Sequence, residues 1–62
     1  MVTVYSKPDC NNCEKTKDLF NLIGINYVEI DMTKDREAMS RVKALKARQA
    51  PVVETDSGHW SG

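Results

Sequence analysis

Apolar and polar side chains alternate from Met1 to Ser6, with Val2 and Val4 on one side and Thr3 and Tyr5 on the other. That period of two predicts a short strand. Lys7-Pro8-Asp9 breaks the alternation. From Asn11 to Ile23 the spacing changes to threes and fours, so that Cys13, Thr16, Leu19 or Phe20, and Ile23 share one helical face. Gly24 supplies a residue able to take the left-handed conformation at the helix C-terminus. Alternation returns from Asn26 to Asp31, with Val28 and Ile30 apolar on one face, and predicts a second strand. Asp35 is an N-cap candidate, and Glu37 sets a carboxylate in the first turn, where the helix dipole favours one. Ala38, Val42 and Leu45 line the stripe of this second helix, and Met39 widens it. Lys34, Arg36, Arg41, Lys43 and Lys46 read as its solvated face. Pro51-Val52-Val53 is a compact buried strand, Asp56-Ser57-Gly58 is turn chemistry, and His59-Trp60 begins a partner strand, giving a hairpin from Val52 to Trp60.

The order is strand, helix, strand, helix, strand, strand. Two strands joined through a helix run parallel, with a right-handed crossover. The hairpin adds an antiparallel pair. The expected fold is therefore α/β, a four-stranded mixed sheet with two helices, and residues 1–62 read as a single domain. A chain of 62 residues is short for that purpose. Such a domain buries only about 60% of the surface its unfolded chain exposes, and small scaffolds usually need a staple.

The only staple on offer is Cys10-Asn11-Asn12-Cys13. It closes so short a loop that it constrains the unfolded chain weakly. Chemistry explains the pair better. Cys10 falls at the start of the first helix, where unpaired N–H groups and the helix dipole favour an anion, and therefore a thiolate. Lys7 pushes the same way and Asp9 opposes it. Cys13 lies three positions on, on the same side but less exposed. Cys10 is then the nucleophile toward a substrate disulfide, and Cys13 resolves the mixed disulfide. Pro51, heading a strand beside a turn, is a candidate cis bond that would turn the carbonyl of Ala50 or Gln49 toward the cysteines for a substrate strand to meet.

Composition narrows the class. Nine basic and nine acidic side chains give no net charge, and no basic block is present, which argues against nucleic acid as a partner. The N-terminus carries no charged and apolar pattern of a signal peptide. No apolar run approaches the roughly 20 residues that cross a bilayer, so no membrane role is expected. The expected compartment is the cytoplasm, where a cysteine pair reads as catalytic or metal-binding before structural. A structural zinc wants four ligands, and the chain offers the two cysteines and His59 alone. No metal is therefore expected, while a pair of inert buried cysteines stays open. His59 reads as a half-exposed strand residue. Trp60 is either core filler or a partner contact.

Tyr5-Ser6-Lys7-Pro8-Asp9-Cys10-Asn11-Asn12-Cys13, Thr16-Lys17, Gln49-Ala50-Pro51-Val52-Val53 and His59-Trp60-Ser61-Gly62 together closely resemble the NrdH-type redoxins, over the whole chain. That resemblance implies a thioredoxin-like fold, Cys10 as nucleophile, Cys13 as resolving thiol, Pro51 in cis and Thr16 supporting the thiols. It also implies a partner-binding surface that includes Trp60, Ser61 and Gly62; Lys7, Asn11, Asn12, Arg48, Gln49 and Ala50 are further candidates for contact with substrate or partner. No organic cofactor is expected to be bound. The resemblance further implies that electrons come from NADPH through thioredoxin reductase and go to the class Ib ribonucleotide reductase. In two respects the chain departs from the pattern. Asn11-Asn12 replaces a typical Val-Gln, and the aromatic, basic and proline residues that lead the family into a last helix do not follow Trp60-Ser61-Gly62. A monomer is expected, with dimerisation through an uncovered sheet face as the alternative. Glutaredoxins carry a Tyr between the cysteines and a Gly-Gly-x-Asp segment after the hairpin, and neither is here. A glutathione-dependent glutaredoxin and a redox-inactive adaptor docking through Trp60 are the two alternative functions.

Overall fold

One of the two interior strands of the sheet delivers the chain to the cysteines. In a computed structural model, which describes residues 1–61, β1 (Thr3–Ser6), α1 (Asn11–Ile23), β2 (Val28–Asp31), α2 (Arg36–Ala44), β3 (Val52–Thr55) and β4 (Gly58–Ser61) follow in that order. Gly62 lies outside the described residues. The sheet order is β2-β1-β3-β4. β1 pairs parallel with β2, through Thr3 opposite Val28 and Ser6 opposite Asp31. It pairs antiparallel with β3, through Val4 opposite Val53. The expected mixed sheet with two helices, a thioredoxin-like arrangement, is what forms.

Because side chains of a strand alternate, neighbouring residues of β1 serve opposite faces. Val4 packs with Val53 and with Phe20 of α1, joined by Val2 and Tyr27. Tyr5 packs with Val52, Met32 and with Ala38 and Val42 of α2. One helix thus covers each face. Val4, Val52 and Val53 are fully buried. The Tyr5 hydroxyl, emerging from the α2 side, donates to Glu54 at 3.1 Å.

The helix ends follow elementary capping chemistry. Gly24 takes the left-handed conformation at φ 77°, and its N–H closes on the Phe20 carbonyl. The Asp35 carboxylate accepts from the Ala38 N–H at 3.0 Å, the expected N-cap. The far end of α2 is less orthodox: Lys46 holds φ 58°, a conformation glycine usually takes, and its N–H reaches the Lys43 carbonyl.

Three expectations need correcting. The buried stripe of α1 is Cys13 and Phe20, while Leu19 and Ile23 are exposed, because one helix laid on the sheet buries a narrower arc than the apolar pattern allows. β2 begins at Val28 rather than Asn26, and Val28 is exposed because β2 is an edge strand. Arg41 is not simply solvated; its Nε lies 3.2 and 3.1 Å from the two carboxylate oxygens of Glu54 on β3. That pair ties α2 to the sheet through a two-pronged contact.

Phe20 is the side chain that joins α1 to the sheet, and its ring meets Tyr27 at a centroid distance of 5.7 Å. Phe20→Ala is expected to cost about 3–5 kcal/mol, enough to unfold much of so small a domain. Leu22→Ala, at a site 82% exposed, should stay within about 0.5 kcal/mol. Urea melts of both variants check the contrast, and equal midpoints would contradict this assignment of the core.

Candidate active site

β1 ends at Ser6, and after only three intervening residues the chain must reach the cap of a helix. Asp9 makes the turn in the left-handed region at φ 57°, a conformation that aspartate tolerates better than most side chains. Cys10 then becomes the N-cap of α1, with φ −110° and ψ 104°. Its Sγ accepts the N–H of Cys13 at 3.1 Å. An N-cap is normally an oxygen-bearing side chain that takes one of the unpaired N–H groups of the first turn. A sulfur in that position accepts far better as a thiolate than as a thiol. The hydrogen bond and the helix dipole therefore both favour the anion.

Cys10 and Cys13 are joined as a disulfide, with their Cα atoms 5.2 Å apart. Their exposures differ. Cys10 is half-buried, whereas Cys13 is 1% exposed and lies under the helix start. Thr16, half-buried, sits one turn farther along α1. No cluster of three or more potential metal-ligating side chains occurs among the described residues.

An open cavity of about 650 Å³ surrounds Cys10. Lys7, Asp9, Asn11, Asn12 and Lys15 line one side, and Arg48, Gln49 and Ala50 the other. The Ala50–Pro51 peptide is cis, and Pro51 is buried at the head of β3. Six of the expected contact residues, Lys7, Asn11, Asn12, Arg48, Gln49 and Ala50, are thus gathered around Cys10. Trp60 and Ser61 are not among the lining residues; they lie on the edge strand β4, where Trp60 faces Val53 across the ladder and is 52% exposed. His59, also on β4, is exposed as well.

Two features escaped the sequence reading. Lys15 joins the cavity wall from the second turn of α1, a position that only the folded loop relates to Lys7 and Arg48. The other is a polar clamp beneath the loop. The Lys17 ammonium donates to Glu29 at 2.8 Å and to Glu14 at 2.9 Å, and the Ser6 hydroxyl donates to Glu29 at 2.9 Å. It joins the end of β1, the edge strand β2 and the helix that carries both cysteines. The Glu14–Lys17 spacing of three was legible as a helical pair; the partner on β2 was not.

The gene 56 protein of Mycobacterium phage L5 is 44% identical over 57 residues, covering 90% of this chain. The chain spans 55% of that relative's own length. The glutaredoxin-like protein NrdH of Lactococcus lactis subsp. cremoris is 36% identical over 62 residues, covering all of this chain and 86% of the relative. Among solved structures, the glutaredoxin-like NrdH-redoxin of Escherichia coli superposes with a TM-score of 0.93 at 33% identity, covering 98% of this chain and 80% of that one. Fold and site define a thioredoxin-like domain whose paired cysteines cap the first helix. The glutaredoxin family model matches residues 2–60. The chain belongs to the glutaredoxin family and, within it, to the NrdH-type redoxins.

The clamp makes stability depend on pH in a defined direction. Lys17 holds the Glu29 carboxyl below its ordinary value of 4.5, helped by the Ser6 hydroxyl. A carboxyl lowered in the folded state contributes stability that is complete above its unfolded value and fades as pH falls through the folded one. Glu29 is partly exposed, so the contribution at neutral pH is about 1 kcal/mol or less. Glu29→Gln is expected to lower the Tm at pH 7, and the gap to the parent should close as pH is taken below 4.5. Thermal melts across that range decide it; a gap independent of pH would contradict the ionic origin.

Proposed function

We propose that this chain is a thiol–disulfide oxidoreductase that reduces protein disulfides through Cys10 and Cys13, with residues 1–62 acting as one thioredoxin-like unit. The observation that carries the reading is the N-cap geometry: Cys10 Sγ accepts the Cys13 N–H at the start of α1, while Cys13 itself is buried. That arrangement favours a thiolate at the accessible sulfur and keeps the second thiol out of contact with substrate until it is needed.

The reaction balances as follows. With both cysteines reduced, the Cys10 thiolate attacks one sulfur of the substrate disulfide. A Cys10–substrate bond forms, and the other substrate sulfur leaves as a thiolate. The Cys13 thiolate then attacks Cys10 Sγ, the intramolecular disulfide closes, and the second substrate sulfur departs. Two electrons pass to the substrate, and the two protons of the protein dithiol end on the substrate thiols. Because the two cysteines are one helical turn apart, the second attack needs no encounter in solution.

Electrons are proposed to come from NADPH through thioredoxin reductase and to go to a class Ib ribonucleotide reductase, in the cytoplasm, where a reducing poise keeps the dithiol charged. Membership of the NrdH-type redoxins supports this. So does the Escherichia coli relative, whose activity profile is described as thioredoxin-like. Trp60 and Ser61 on β4, with Gly62 next in the sequence, are the proposed partner surface, and Thr16 is the proposed support for the thiols.

NADPH consumption with insulin as disulfide substrate tests the reading, once with thioredoxin reductase and once with glutathione plus glutathione reductase. Turnover is expected with thioredoxin reductase and should be abolished in Cys10→Ser. Cys13→Ser should accumulate the covalent protein–substrate adduct, seen by mass spectrometry without reductant. Turnover through glutathione alone would replace this reading with a glutaredoxin's. Turnover undiminished in Cys10→Ser would end the dithiol mechanism.

A further inference from the structure

Charge is distributed unevenly over this chain. Its formal net charge is zero, yet the cavity around Cys10 is walled by three cations, Lys7, Lys15 and Arg48, against the single carboxylate of Asp9. The three come from separate segments: the β1–α1 loop, the second turn of α1, and the loop before β3. Among the described residues, the ion pairs engage Lys17, Arg41 and the N-terminal ammonium, and none of these three. The remaining lining residues are the amides Asn11, Asn12 and Gln49, with Ala50 and the reactive cysteine. The cavity therefore offers positive charge and hydrogen-bond capacity, and little apolar surface.

We infer that the site selects disulfides flanked by carboxylates in an acidic peptide segment of a partner protein, with Lys7, Lys15 and Arg48 as the specificity-determining residues. This rests on the proposed dithiol chemistry and narrows its substrate class. The physical need is plain. Carboxylates beside a disulfide repel an incoming thiolate, and they raise the pKa of the sulfur that must leave, so an acidic disulfide is a poor substrate for an uncompensated redoxin. Unpaired cations around Cys10 offset both effects: they steer the acidic segment in, and they meet the negative charge that develops on the departing sulfur. Cations on several sides of Cys10 suit a segment with carboxylates both before and after its disulfide, more than a single small anion held at one point.

The test uses single-turnover reduction, so it needs no reductase. Protein reduced with dithiothreitol and then desalted is mixed with synthetic peptides that share one internal disulfide and differ only in Glu or Lys flanks. A peptide with neutral flanks serves as reference. The step is the one already balanced: the protein dithiol becomes the Cys10–Cys13 disulfide and the peptide disulfide becomes two thiols. At low salt the second-order rate constant is expected to be about tenfold higher for the acidic peptide than for the basic one, the lower end of electrostatic steering. In 1 M salt, where the screening length falls to about 3 Å, the ratio should drop toward one. Lys7→Gln/Lys15→Gln/Arg48→Gln should bring it toward one at low salt as well; the three sites are exposed, so the variant should melt close to the parent. Equal rates for acidic and basic peptides, with both reduced, would overturn the inference and leave the dithiol function standing. Failure to reduce any peptide, the neutral one included, would overturn the function itself. Oxidised glutathione reduced as fast as the acidic peptide would overturn the assignment to a protein segment.

Discussion

A helix that starts at the end of a sheet leaves its first N–H groups without intrahelical partners, and here a sulfur takes one of them. The hydrogen bond from the Cys13 N–H to Cys10 Sγ is a piece of secondary structure and, in the proposed dithiol chemistry, also the contact that favours a thiolate at Cys10. Much else exists to place it. β1 is held on both sides by ladder partners, so its exit point at Ser6 is fixed. Asp9 turns the chain within three residues. Phe20 anchors α1 to the sheet at the far end of the same helix. Loosening any of these would move the first turn of α1 relative to Ala50 and Gln49, which come from the other side of the sheet.

Much of this was legible in the residues. The change from period two to period three-and-four placed α1 at its observed limits, and Gly24 marked its end because no other residue type takes the left-handed region as readily. Asp35 was readable as a cap for the same kind of local reason. Local signals fail where burial is decided by what lies opposite. Leu19 and Ile23 carry the same apolar pattern as Phe20, yet Phe20 is the one lowered onto Val4 and Val53. Val28 alternates correctly and is exposed all the same, because an edge strand is covered less well. At the site, the cysteines announced themselves by spacing and position. Lys15 did not, since its place in the cavity wall depends on how two distant loops approach the helix.

The pairing of charges divides the molecule into two electrostatic regimes. Lys17 and Arg41 are spent on carboxylates that bind one element to another, and their fields are largely cancelled beyond a few ångströms. Lys7, Lys15 and Arg48 carry no such duty among the described residues. A chain with no net charge thereby keeps a directional field at the end that carries Cys10, and composition alone would never have revealed it.

The burial of Cys13 has a further consequence for survival under oxidants. If Cys10 reacts as proposed, peroxide arriving from solvent would meet it first and convert its thiolate to a sulfenic acid. Cys13, sheltered at 1% exposure and one helical turn away, would condense with that sulfenic acid, expel water and close the disulfide that the structure already contains. Oxidation would then be diverted before the sulfinic and sulfonic stages, from which a thiol is not ordinarily recovered. The geometry that would complete the proposed cycle would thus also spare Cys10 from permanent damage, with one buried sulfur serving both ends.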